Sequence, residues 1–205
     1  MKNYLYNCAP LNANYMKEYR EAVESYANRK ENYLFHNQGS EHAKIIFENM
    51  FRTAESHIRI AAESLWNDSV VNTPEYLAAL SIFLDKPNSL LDILLINEPE
   101  KKDVVEKEDC NLYSFLYLHP AFSEGRIRIK SGEGKAFRDS ENNIIHFSTA
   151  DGRMYRLEDN VVLRAATANF NDEKMSKSLE ELFDGIFLST NNVIKDVDLK
   201  EYFLS

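Results

Sequence analysis

Residues 142–170 read NNIIHFSTADGRMYRLEDNVVLRAATANF, and this stretch decides the fold. Residues 144–150 are rich in β-branched and aromatic side chains, Asp151-Gly152 is a turn pair, and residues 153–158 alternate again. Two such runs around Asp-Gly predict a β-hairpin, because the favoured tight turns need positive φ, which Asp and Gly tolerate. Residues 161–168 predict a further strand. Successive side chains on a strand point to opposite faces. Ile144, His146 and Ser148 therefore share one face, and Ile145, Phe147 and Thr149 the other. His146 and Ser148 are expected to line a polar pocket while Phe147 faces the core.

Upstream, helix and strand patterns alternate. Residues 15–35 predict a charged, Tyr-rich helix with Tyr15, Tyr19, Val23, Tyr26 and Ala27 on one face. Asn37-Gln38-Gly39 breaks it, and Ser40 stands as the N-cap of a helix through Glu55. HIRIAA at 57–62 alternates as a strand. Thr73-Pro74 opens the next helix with a capping hydroxyl and a proline at the first helical position, and Lys86-Pro87-Asn88 ends it. LLDILLI at 90–96 reads as a strand buried on both faces. A charged loop at 98–109, a helix at 111–118 and a strand at 126–130 follow. After the hairpin region, Asp172 caps a last helix with Leu179, Leu182, Phe183, Ile186 and Phe187 at core spacing.

This order predicts an α/β fold with a mixed, mostly parallel sheet flanked by helices. We divide the chain into an N-terminal helical segment (1–39), an α/β domain (40–190) and a C-terminal tail (191–205).

The 205 residues suffice for one domain with a proper core, and 44% hydrophobic content argues against disorder. The formal charge of −9 argues against sequence-independent nucleic-acid binding, which draws its affinity from Lys and Arg on phosphates. Cys8 and Cys110 are far apart in sequence and His36, His42, His57 and His119 are scattered, so neither a metal site nor a disulfide framework is expected. Glycine-rich nucleotide loops are not seen, and no cofactor is expected. The longest apolar runs are too short to span a bilayer, and the N-terminus lacks a signal-peptide core, so a cytoplasmic chain with no membrane contact is expected.

His146 leads the candidates. A histidine held on a strand serves as nucleophile or general acid near neutral pH, or as a satisfied structural residue; its position alone leaves both open. Arg156 and Glu158 share a strand face. The arginine offers a planar fork for phosphate or carboxylate, and the alternative is a surface salt bridge with Glu158 that contributes little. Glu63, Ser64, Trp66, Asn67 and Asp68 follow the first strand of the α/β unit. Ligands bind beyond the carboxyl ends of such strands, so this cluster is either a site or an ordinary loop.

IIHFSTADGRMYRLE, followed by ATANFND and SLEELFDGIF, resembles the phospholipase D superfamily, whose motif is His-x-Lys-x4-Asp and then Gly-Ser-x-Asn. The similar order of elements covers residues 40–188. In that family two motifs meet at one site. One histidine attacks phosphorus, the other protonates the leaving group, and the lysines and asparagines hold the phosphate oxygens. A chain with one motif builds the site by two-fold dimerisation, so the resemblance implies a homodimer.

The departures are specific. With His146 as nucleophile, Ser148 replaces the lysine and Asp151 comes five residues later rather than seven. With Asp151 aligned, His146 falls on the lysine position and Ile144 on the nucleophile position. Ala166-Thr167 replaces Gly-Ser, and Asn169 fits the asparagine. The resemblance with these losses implies a degenerate, non-hydrolytic domain that binds a phosphate-containing ligand or nucleic acid, or that serves in assembly with a protein partner. The alternative is a metal-independent phosphodiesterase or nuclease, with His146, Asn169 and Glu158 as its catalytic groups. Arg156, Ser148, Glu63 and Trp66 are the expected ligand-binding residues. A third expectation is an α/β interaction module without a site.

Overall fold

The structure is a computed structural model and describes residues 13–65, 68–96, 111–132, 137–160 and 163–190. Among these, seven strands form one mixed sheet in the order β1-β7-β6-β5-β2-β3-β4. They are β1 (Phe35–Gln38), β2 (His57–Ala62), β3 (Leu90–Leu95), β4 (Ile127–Ser131), β5 (His146–Ala150), β6 (Met154–Asn160) and β7 (Ala165–Asn169). The helices are α1 (Ala13–Arg29), α2 (Ser40–Thr53), α3 (Pro74–Leu84), α4 (Asn111–Leu118), α5 (Pro120–Ser123) and α6 (Glu173–Phe187).

The sheet is covered on both faces. On one, Ile46, Met50 and Phe51 of α2, Leu80 and Phe83 of α3 and Leu116 of α4 bury against Ile58, Ile60, Ile93 and Met154. On the other, Leu179, Phe183 and Phe187 of α6 cover Ala61, Leu94, Phe147 and Tyr155. Fully burying one such aliphatic or aromatic side chain contributes roughly 1.5–3 kcal/mol. Two-sided burial explains the nearly unbroken apolar run of β3. Its one charged residue, Asp92, is buried, and it accepts hydrogen bonds from His57 Nε2 (2.8 Å) on β2 and from both arms of Arg128 (2.6 Å each) on β4.

Only β2-β3-β4 pair in parallel; β1-β7, β7-β6, β6-β5 and β5-β2 are antiparallel. The parallel share is thus smaller than the alternating pattern suggests. The hairpin and the strand after it add their length next to β2, not beyond β4. Two local expectations also differ. The N-terminal helix ends at Arg29, where Lys30 takes φ 52°, and residues 35–38 pair with β7 as an edge strand. A four-residue strand whose only partner is some 130 residues away leaves no local period to read. Ser40 is the first helical residue and not the cap; Gly39 precedes it at φ 85° with no side-chain capping bond. Thr73-Pro74 does start α3, although the Thr73 hydroxyl donates to the Val70 carbonyl (2.8 Å) and does not cap the helix, and Asp172 does cap α6, accepting from Met175 N–H (3.1 Å). The charged loop at 98–109, both cysteines and the tail lie outside the described residues.

The hairpin turn anchors the sheet to the elements around it. Asp151 and Gly152 take φ 56° and 66°, the mirror-image turn that suits twisted strands. The Asp151 carboxylate accepts from the backbone N–H groups of Glu55 (2.7 Å), Ser56 (2.9 Å) and His57 (3.1 Å) and from the Ser56 hydroxyl (2.9 Å). It ties the hairpin to the α2–β2 connection. Gly152 N–H donates to Glu180 of α6 (2.9 Å), joining the turn to the opposite layer. Burial alone would push the Asp151 carboxyl up, but the bonds from Glu55, His57 and Ser56 outweigh it and hold the group below the usual carboxylate range. That stability is present above the unfolded value and is lost as pH falls through the depressed folded one. Asp151→Ala is expected to lower stability by about 2–4 kcal/mol in urea unfolding at pH 7. A loss below about 0.5 kcal/mol would show that the turn does not anchor the sheet.

Candidate functional site

The register of the hairpin decides which side chains meet. His146 pairs with Glu158 and Ser148 with Arg156 across β5 and β6, and all four point to the face covered by α2 and α3. His146 opens β5 beside the carboxyl end of β2, so the group lies at the strand ends where α/β sheets bind ligands. Ala43 and Phe47 of α2, Tyr76 of α3, and Asp68 and Arg164 from two loops complete a pocket around these residues.

His146 is half-buried, and its Nε2 accepts a hydrogen bond from the main-chain N–H of Glu63 (3.1 Å). A neutral ring that accepts at Nε2 carries its proton on Nδ1. Burial pushes the imidazole below its usual value, against the opposing pull of Glu158, Glu63 and Asp68. The ring is therefore neutral at pH 7.

Arg156 is 3% exposed and Glu158 5%. Arg156 Nη1 donates to Glu158 Oε2 (2.6 Å), and its guanidinium carbon lies 5.4 Å from the Phe47 ring centre. The pair is thus a buried ion pair and not the weak surface bridge considered from sequence. Arg156 Nε and Nη2 have no hydrogen-bond partner among the described residues. At the more exposed end of the pocket Arg164 Nη1 donates to Asp68 Oδ2 (3.0 Å). Asp68 Oδ1 also accepts from Val70 N–H (2.7 Å), which shapes its loop.

The structure brings together His146, Ser148, Arg156 and Glu158. Glu63 joins through its main chain, and Trp66 lies outside the described residues. Asn169 is not brought to the group. It pairs with Tyr155, whose ring packs under α6 on the opposite face, and its amide donates to Asn32 (2.8 Å). The spacing that suits the motif's asparagine places this one elsewhere because the odd residues of β6 face α6. Sequence reasoning did not single out Arg164 or Tyr76. An arginine inside the apolar run VVLRAATA was the one available signal for the first. Among the described residues no group of three or more His, Cys, Asp or Glu side chains is placed to hold a metal ion, and no helix is long and apolar enough to cross a membrane.

Arg156→Met leaves Glu158 buried and unpaired, and is expected to cost about 3–5 kcal/mol. Arg156→Met with Glu158→Leu is expected to return to within about 2 kcal/mol of wild type, read by urea unfolding of the three chains. Additive losses would contradict the pairing. The depressed His146 value has the opposite sense to a stabilising pair. As pH falls below about 6.5 the unfolded chain binds a proton that the folded ring refuses, so stability drops. His146→Gln is expected to flatten the stability slope below about pH 6.5 by up to about 1.4 kcal/mol per pH unit, with His42, also lowered by burial, contributing to what remains.

No protein-family model and no curated protein sequence matches the chain. Solved structures do. Nuc from Salmonella typhimurium, a phospholipase D family member, matches with a TM-score of 0.52 at 12% identity, over 79% of this chain and 98% of that one. The phosphatidylserine synthase of Haemophilus influenzae Rd KW20 matches with a TM-score of 0.52 at 14% identity, over 82% of this chain and 41% of that one. TrmBL2, an archaeal chromatin protein with a novel mode of DNA binding, matches with a TM-score of 0.51 at 14% identity, over 86% of this chain and 62% of that one. Together with the seven-stranded mixed sheet, these likenesses establish that the chain has a phospholipase D-like fold.

Proposed function

We propose that this phospholipase D-like domain binds a phosphate-containing ligand at the His146 pocket and does not hydrolyse it. One observation carries the reading: His146 Nε2 already accepts the Glu63 N–H. A histidine nucleophile attacks through the lone pair of an unprotonated ring nitrogen. Here one nitrogen carries the proton and the other has its lone pair committed to the main chain. The surroundings agree with this. Ser148 supplies no charge where a lysine would hold a phosphate oxygen.

The neighbours differ in what they do, and a shared fold does not transfer function. The chromatin protein binds DNA, but this chain has 33 acidic against 24 basic residues. That balance favours a small ligand over a nucleic-acid backbone, whose affinity grows with the number of phosphates neutralised by Lys and Arg.

Wild type and His146→Ala are expected to hydrolyse bis(p-nitrophenyl) phosphate in EDTA at the same rate as buffer alone. Metal-independent turnover that disappears in His146→Ala would replace this reading with the phosphodiesterase one.

A further inference from the structure

The unpartnered side of Arg156 narrows the ligand. Its Nη1 is held by Glu158, while Nε and Nη2, which form one edge of the guanidinium, have no partner among the described residues. Those two N–H groups lie parallel and match the two oxygens of one carboxylate or phosphate group. Burying donors without a partner costs about 1–3 kcal/mol each, a cost that a ligand oxyanion would remove. The edge also cannot turn away to solvent. The guanidinium carbon lies over the Phe47 ring, Glu158 holds the other arm, and the residue is 3% exposed.

Enclosure limits what can reach it. Ala43, Phe47 and Tyr76, all buried on α2 and α3, close the pocket above the sheet. His146, Asp68 and Arg164 form its more exposed lining. A group at the end of a ligand can enter past them, whereas a diester that continues in both directions would need an open channel across the sheet. Charge adds a second limit. Arg156 is already balanced by Glu158, and Arg164 by Asp68. Recognition of an anion there therefore rests on the geometry of the unused fork and not on a net positive charge.

We propose that the Nε–Nη2 edge of Arg156 is the recognition point for a terminal oxyanion, a carboxylate or a phosphate monoester, on a small organic ligand. This rests on reading the His146 pocket as a binding site. Ser148, opposite Arg156 on β5, and His146 share that face and line the same pocket.

The test is calorimetric titration of the whole chain with phenyl phosphate, benzoate and dimethyl phosphate. Phenyl phosphate or benzoate is expected to bind, and which of them binds tells phosphate from carboxylate. Arg156→Lys keeps the charge and the partner of Glu158 but removes the fork, and is expected to weaken that binding by about tenfold or more. If that variant does not fold, Arg156→Met with Glu158→Leu serves, with no buried charge left to destabilise it and binding abolished. The proposal is overturned if neither phenyl phosphate nor benzoate binds wild type, if Arg156→Lys binds as tightly as wild type, or if dimethyl phosphate binds as well as phenyl phosphate. Diester hydrolysis lost in His146→Ala would overturn the non-hydrolytic reading and leave the Arg156 edge to be judged by its own titration.

Discussion

Four hydrogen bonds to one carboxylate hold the rest of this structure in place. Asp151 gathers three consecutive backbone N–H groups and a hydroxyl from residues 55–57 while sitting in a positive-φ turn. Its neighbour Gly152 reaches α6 on the other side of the sheet. Because the turn is pinned to the start of β2, the pairing of β5 with both β2 and β6 has one register. A shift by one residue would send His146 and Ser148 to the α6 face and Phe147 into the pocket. The acidic residue that looks like part of a catalytic motif therefore acts on the architecture, and through the register it determines which groups face each other.

That register creates a contrast between the two faces. Under α6 the charged groups are fully engaged: Arg59 forks onto Asp184, and Asp92 takes both His57 and Arg128. Under α2 the charges are only half satisfied. Arg156 uses one arm on Glu158 and leaves an edge without a partner. Buried ion pairs are poor stabilisers relative to apolar packing, and a half-used one is worse. A fold gains nothing in stability from such an arrangement, so the half-used Arg156 contrasts with the Asp92 cluster, which clamps three strands.

Much of the fold was legible locally. Asp-Gly between alternating runs marked the hairpin, Thr-Pro marked the start of α3, and the apolar run of β3 announced burial on both faces. Each signal is carried by a few adjacent residues, so no distant contact is needed to read it. The edge strand at 35–38 was not legible, because its pairing with β7 is wholly non-local. The site was half legible. Alternation placed His146 with Ser148 and Arg156 with Glu158, since parity along a strand is a local property. It did not reveal that Asn169 lies on the other face, or that Arg164 and Asp68 meet across 96 residues.

The sequence by itself determined the α/β class, the hairpin, and the partition of His146 and Phe147 between opposite faces, because backbone geometry forces those outcomes within a few residues. Only the tertiary structure decided what the polar face is for. The bond from Glu63 to His146 and the burial of the Arg156–Glu158 pair join segments brought together by folding, and burial changes the energetics of a charge more than its identity does. An arginine that would be an ordinary surface residue in water becomes, under α2, a fixed fork with one edge unused.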